Sequence, residues 1–312
     1  MLLVLFSVLL IMLLLVVIII FARSQKHVFE INAMKHCDSV VFPENIVPVA
    51  NVIPYYQRVN DGFEVMKERS VILTGLVHDL ENIIELSIQR LVHIGEKFQN
   101  YLIVLYENNS KDGTKEILYK MSSENKRIII ISEDLKNTRS AVSHGSHNLR
   151  RFAMMAKFRN KYLEYISTMD HNQFTHVIVA DMDMRLGYSL EGVAHTFSFE
   201  DWDMVACNGL DVHDGLYYDP LAFSNEVGER VHKHSPVIGN CALKRSDLKF
   251  QKGSCTLIPV KSAFAGCAIY EKGAILSSRY AGTDCEHICL HDNMITNGFD
   301  RLFINPSFVV IR

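Results

Sequence analysis

The sequence lacks a charge excess of either sign: 32 basic and 35 acidic residues leave a formal net charge of -3 over 312 residues. A protein that gathers polynucleotide through its overall field needs a basic surplus, so nucleic acid is not an expected partner, and any anionic ligand must be held by local groups. Internal repeats and low-complexity tracts are absent, which excludes a repeat architecture. The cysteines do not pair off: seven is an odd number, so at least one thiol has no intramolecular disulfide partner, and the redox compartment is left open. Glycosylation signals are scarce too, with a single permitted sequon at Asn108. With 48% hydrophobic and 21% charged residues, the chain has the material for one large folded domain or two small ones.

No lysine or arginine precedes the apolar run at residues 2–21, and no small-residue cleavage site follows it. Ser7 is the only polar residue in this run. Twenty such residues span a hydrocarbon core of roughly 30 Å as a helix, and exceed the ~7 to 15 of a cleaved signal. Residues 1–22 are therefore expected to form a transmembrane signal anchor. Arg23, Lys26 and Lys35 follow the run, which by charge alone favours a cytosolic C-terminal domain. Residues 23–69, with Pro43, Pro48 and Pro54 and no sustained period, read as a stem or an extended segment lying on the domain. Residues 70–312 form the domain.

From Ser70 onward β-rich runs alternate with helical periodicity: "SVILTGL" then "DLENIIELSIQRLVHIGEKF" with Asp79 as N-cap, "YLIVLYE" then "DGTKEILYKMSSE", "RIIIIS" then "NLRRFAMMAKFRNKYLEYISTM", and "THVIVAD" then "SLEGVAHTFSF". This alternation predicts an α/β fold, a mostly parallel sheet flanked by helices, with ligands beyond the carboxyl ends of the strands.

Polar residues gather at those ends. Glu107, Asn108, Asn109, Ser110 and Asp112 follow the second strand; the first three can hydrogen-bond a nucleobase or ribose and Asp112 can cap the next helix, while a plain turn with an N-cap explains the loop equally well. Asp181 and Asp183 follow the fourth strand. Alternate side chains share one side of a strand, so the two carboxylates come close, and a divalent cation would relieve their repulsion. Mn2+ or Mg2+ held this way completes its shell with phosphate and water. On the intervening helix Phe152, Met155, Ala156, Tyr162, Leu163 and Ile166 make one apolar face, with Arg159 near its centre. A guanidinium there needs an anionic partner, either a carboxylate of the protein or a ligand phosphate. Arg150 and Arg151 can add phosphate contacts or stand in solvent. Near the C-terminus Cys285, His287, Cys289 and His291 recur at every second residue. Shared on one face of a strand they could hold zinc, His291 alone could join the metal of Asp181 and Asp183, or the pattern could be ordinary packing. "GLDVHDGLYYDPLAF" and the small residues of "PVKSAFAGCAIYE" suit an acceptor side or tight packing.

The order of "YENNSKDGT", "NLRRFAMMAKFRNKYLEYI", "HVIVADMDM" and "WDMVACNGLDVHDGLYYD" resembles nucleotide-sugar glycosyltransferases of the GT-A (Rossmann-like) fold, most of all the fungal capsule-associated α-1,3-mannosyltransferase family, over about residues 70–306. The resemblance implies Glu107, Asn108, Asp112, Arg150 and Arg159 at the nucleotide sugar, and Asp181, Asp183 and His291 at Mn2+ or Mg2+. The segment "TDCEHICLHDNM" is similar to the family's Ser-Glu-Cys-Cys stretch and implies Glu286, with Asp284, as the acidic catalytic candidates. The sequence departs from the family at the strict Asp181-Met182-Asp183 spacing and at Asn293, where an acidic residue is usual. What is implied is sugar transfer, with mannose in view, from a nucleoside-diphosphate sugar to a glycan or glycoconjugate hydroxyl. Retention needs no dedicated base, whereas inversion requires Glu286 or Asp284 to take the acceptor proton. The expected location is the Golgi or ER membrane with a lumenal catalytic domain, a cytosolic domain being the alternative. Two other classes use the same features: a metal-dependent phosphoryl-transfer or nucleotide-hydrolysing enzyme, and a catalytically silent membrane-anchored binding protein.

Overall fold

Strands covered by helices on both faces must be apolar throughout, and the first strands of the domain are buried along most of their length. The computed structural model describes residues 32–136, 149–169, 173–231 and 242–312, together with Ile11, Leu14, Phe29 and Glu30. The run expected to cross a membrane lies outside the described residues except for Ile11 and Leu14. Among the described residues no helix is long and apolar enough to cross a membrane.

A 3-10 turn (Glu44–Ile46) leads into α1 (Val52–Met66), β1 (Ser70–Val77), α2 (Ile84–Gly95), β2 (Asn100–Asn108), α3 (Thr114–Glu124), β3 (Ile128–Glu133), α4 (Leu149–Ser167), β4 (His176–Ala180), β5 (Gly187–Tyr188) and α5 (Leu190–Phe197). Then come β6 (Met204–Leu210), β7 (Ser224–Asn225), β8 (Ile258–Ser262), β9 (Cys267–Glu271), α6 (Lys272–Leu276), α7 (Glu286–Thr296) and β10 (Leu302–Ile311). They build one sheet of order β3-β2-β1-β4-β9-β6-β10-β8-β7, with β5 added on β10.

The expectation of a mostly parallel sheet holds for β3, β2, β1 and β4. The other half corrects it: β9 runs antiparallel to both β4 and β6, and β10 is parallel to β6 but antiparallel to β8 and β5. A parallel neighbour requires a crossover, which α2, α3 and α4 provide in the first half. Between β6 and β9 the described residues contain no such helix, and the chain returns in the opposite direction. Because β9 opposes both its neighbours, β4 and β6 point the same way. The carboxyl ends of β1, β2, β3, β4, β6 and β10 therefore share one edge with the amino end of β9.

The segment before β1 is in part helical, where a stem or an extended segment lying on the domain was expected. Residues 52–66 form a helix whose Tyr55, Val59, Gly62 and Met66 are buried at helical spacing against the domain. Pro54 hid it, yet in the first helical turn a proline gives up an N–H that has no partner anyway. α1 packs so closely on α5 that a Cβ on Gly62 would lie 1.7 Å from the Ala194 carbonyl oxygen. Beside it, the buried Lys252 ammonium donates to Glu44 O at 2.6 Å, with Glu44 Oε2 at 3.2 Å, and Tyr55 Oη donates to Glu191 Oε2 at 2.9 Å. The segment before β1 is thus part of the fold.

Candidate active site

β4 ends at Ala180, and Asp181 begins an irregular turn that reaches β5. Met182 and Met184 are buried, so the alternation set by the strand persists and turns Asp181 and Asp183 to the other side. The turn is pinned by the Asp181 N–H donating to Gly266 O at 2.9 Å and by Tyr188 Oη donating to Asp181 O at 2.6 Å.

Arg159 projects from the apolar face of α4 and is 3% exposed. Its Nη2 donates to Asp181 Oδ1 and its Nε to Glu286 Oε1, each at 3.2 Å. Of the two kinds of anionic partner expected for this guanidinium, protein carboxylates are present: Asp181 at the strand end and Glu286 opening α7. The buried Nη1 has no hydrogen-bond partner. The guanidinium also lies over Phe264 and Tyr280, at 5.2 and 5.8 Å from the ring centroids.

Burial pushes the Asp181 carboxyl up to about 6, against the pull of Arg159 and with repulsion from Asp183. Asp183 is paired with Arg312 at 3.0 Å, just past β10, and Arg312 lies 4.9 Å over the Tyr218 ring. Asp219 is a further carboxylate of this cluster. Burial, then the charges of Asp181 and Glu286, push it up to about 8. Sequence reasoning missed Asp219 and Arg312 as site residues; both arrive from β6 and β10 loops, and no local spacing singles them out.

Several expected roles are corrected. Glu107 is fully buried: Oε1 accepts from the Ser110 N–H at 2.8 Å and Oε2 from the Ser132 hydroxyl, so it stitches its own loop rather than facing a nucleoside. Asn108 is buried in β2, with its carbonyl 2.7 Å from His78 Nδ1. The Asp112 carboxylate accepts from the Glu81 and Thr114 N–H groups at 3.0 and 3.1 Å, so it holds the turn one residue ahead of Gly113, the N-cap of α3. Asp79, expected as an N-cap of α2, instead has φ 51° and accepts from the Lys111 N–H at 2.7 Å. The loops after β1 and β2 therefore exchange carboxylate-to-amide bonds. Arg150 is exposed on the first turn of α4. Asp284 is tied to Arg230 Nη1 at 2.5 Å and accepts from the Cys285 N–H at 2.6 Å.

The segment from Glu286 is helical, so Cys285, His287, Cys289 and His291 do not share a face and build no zinc site. His291 is fully buried. Ser262 Oγ gives its only proton to Ala222 O, so His291 Nδ1 donates to Ser262 Oγ at 2.7 Å and Nε2 accepts from the Tyr270 hydroxyl at 3.0 Å. Its lone pair is occupied, which removes it from the expected metal set. His287 stacks on Phe264 with centroids 3.7 Å apart, and neither ring nitrogen has a hydrogen-bond partner. Among the described residues no three His, Cys, Asp or Glu side chains form a complete metal-ligand group. The six described cysteines are free thiols, and Cys241 lies outside the described residues.

The layout is that of an α/β protein with a polar crevice at its strand carboxyl ends, where carboxylates outnumber the arginines bridging them. The family model described as Cryptococcal mannosyltransferase 1 matches residues 70–290, and the chain belongs to that family. No curated protein matches it. Among solved structures it is similar to a mannosyltransferase from Pyrobaculum calidifontis in complex with GDP-Man and Mn2+, at 11% identity over 92% of this chain and 68% of that one, with a TM-score of 0.47. It is also similar to S. aureus TarS 1-349 with UDP-GlcNAc, at 12% identity over 78% of this chain and 58% of that one, with a TM-score of 0.43. For glucosyl-3-phosphoglycerate synthase from Mycobacterium tuberculosis with Mn2+, UDP and phosphoglyceric acid the values are 14%, 79%, 71% and 0.42.

Proposed function

We propose that this protein transfers a sugar, mannose by family membership, from a nucleoside-diphosphate sugar to a hydroxyl of a glycan or glycoconjugate, assisted by Mn2+ or Mg2+ and with retention of configuration. The observation that carries this reading is Arg159: one buried guanidinium joins the Asp181 turn to Glu286 at the carboxyl edge of the sheet.

The carboxylates of Asp181 and Asp183 fit a hard divalent cation; burial first, and the neighbouring carboxylates after it, push Asp181 and Asp219 upward, and a bound cation would offset both effects. When bound, the cation would supply positive charge beside the leaving diphosphate. Arg159 adds a fixed donor, and fixed donors aimed at developing charge are the strongest single contribution a site makes. Retention is supported by the placement of both acidic candidates: Asp284 is ion-paired with Arg230 and Glu286 with Arg159, so neither carboxylate stands unpartnered toward an acceptor hydroxyl. Tyr218, half-buried beside Arg312, and the 211–219 loop line the acceptor side.

The 2–21 run anchors the chain in the Golgi or ER membrane, with the catalytic domain in the lumen; protease protection on sealed vesicles tests that orientation. For the activity, the full chain is incubated with GDP- and UDP-sugars and glycan acceptors, with and without Mn2+. Metal-dependent transfer reduced at least ~100-fold in Asp181→Asn is expected. Nucleotide hydrolysis without sugar transfer would assign the phosphoryl-transfer alternative, and binding without turnover in wild type and variant alike a silent binding protein.

A further inference from the structure

Arg90 lies on α2, is 2% exposed, and spends its guanidinium on main-chain carbonyls. Nη1 donates to Met184 O at 2.9 Å, Nη2 to Arg185 O at 2.9 Å and to Cys37 O at 2.8 Å, and Nε to Ser39 O at 3.0 Å. One planar fork thus joins two stretches far apart in sequence, the turn after Asp183 and the segment that leads toward α1. A lysine has neither the number nor the fixed directions of donors to do this. One helical turn earlier Ser87 Oγ donates to Met182 O at 2.6 Å. The carbonyls of residues 182 and 184 are therefore held by α2 while the carboxylates of 181 and 183 face the crevice. Gly187 confirms the fit from the other side: its φ is +77°, and a Cβ there would meet Arg90 Cδ at 2.7 Å.

We propose that Arg90, with Ser87, is a positioning residue that sets the Asp181–Asp183 carboxylates for divalent-metal binding, and that the 37–39 segment is a working part of that support. The proposal rests on the metal-assisted reading above. Between β4 and β5 the turn has little regular structure to fix it; Gly266 and Tyr188 hold only its start at Asp181, so the carboxylate spacing further along depends on these bonds. Burial without a carboxylate partner lowers the Arg90 basicity, a cost accepted only where the fork geometry is needed. Groups that orient metal ligands from behind typically alter metal affinity ~10- to 100-fold when removed.

The test uses the full chain in detergent and Mn2+ alone, with free Mn2+ followed by electron paramagnetic resonance and metal-free melting followed by circular dichroism. Arg90→Met should weaken Mn2+ binding at least ~10-fold, Arg90→Lys less, and Ser87→Ala by ~3-fold with the fold retained. Lowered melting temperature with unchanged Mn2+ affinity would show a merely structural role and overturn the proposal. If Arg90→Met does not fold, unchanged affinity in both Arg90→Lys and Ser87→Ala overturns it equally. Absent Mn2+ binding by the wild type, or wild-type affinity in Asp181→Asn, would instead remove the metal reading itself, and this inference with it.

Discussion

Arg159 divides one guanidinium between Asp181 and Glu286, and removing it leaves two carboxylates in a poorly hydrated place. Arg159→Leu is expected to cost about 3 kcal/mol of stability, read from the urea midpoint, because breaking one member of a buried ion network strands the others. Arg159→Lys keeps the charge but not the fork, so transfer should fall ~100-fold while the urea midpoint moves less. The position was legible in the sequence, since a lone arginine within an apolar helical face has to find an anion. Glu107 and Asp112 misled for the opposite reason: a carboxylate at a strand end may serve a ligand or a backbone amide, and composition is the same in both cases. His291 was expected at the metal through the family resemblance, and the neighbours that occupy its ring nitrogens, Ser262 and Tyr270, come from distant elements that local sequence does not reveal. Asp219 and Arg312 join the site only through β6 and β10, a pairing that local sequence does not encode.

Among the elements, α1 and α5 pack closely at Gly62. Gly62→Ala would drive a methyl into the Ala194 carbonyl, and it should lower the urea midpoint by the equivalent of about 2 kcal/mol or more, with α1 loosened first in hydrogen exchange. The first four strands and two of the three helices among them were readable to within two residues, because each parallel strand is an apolar run and each crossover helix carries a 3.6-residue period; α2 starts at Ile84, five residues after the expected Asp79 cap. α1 was not, since its three nearby prolines resemble a linker. The second half of the sheet was not either: β5 and β7 are two residues long, too short to show a period, and the direction of β9 is set by its neighbours.

At the scale of the whole molecule, acid should unfold this protein through its buried histidines. His195 is fully buried, and burial, then the Arg58 charge, lowers it to about 4. The unfolded chain takes up that proton near 6.5 while the folded one refuses it, so the contribution is complete above 6.5 and declines as pH falls toward 4. A difference of this size corresponds to about 3 kcal/mol. Urea midpoints measured from pH 7 to 4 should fall steeply in the wild type and less steeply in His195→Gln. The sheet gathers the ends of six strands on one edge, and the two loops nearest the expected nucleoside side are laced together, Asp79 to the Lys111 amide and Asp112 to the Glu81 amide. Each loop is therefore the other's clamp, and the pair should behave thermodynamically as one part: Asp79→Ala and Asp112→Ala should be strongly non-additive in a double-mutant cycle, the second substitution costing little once the first has opened the lacing.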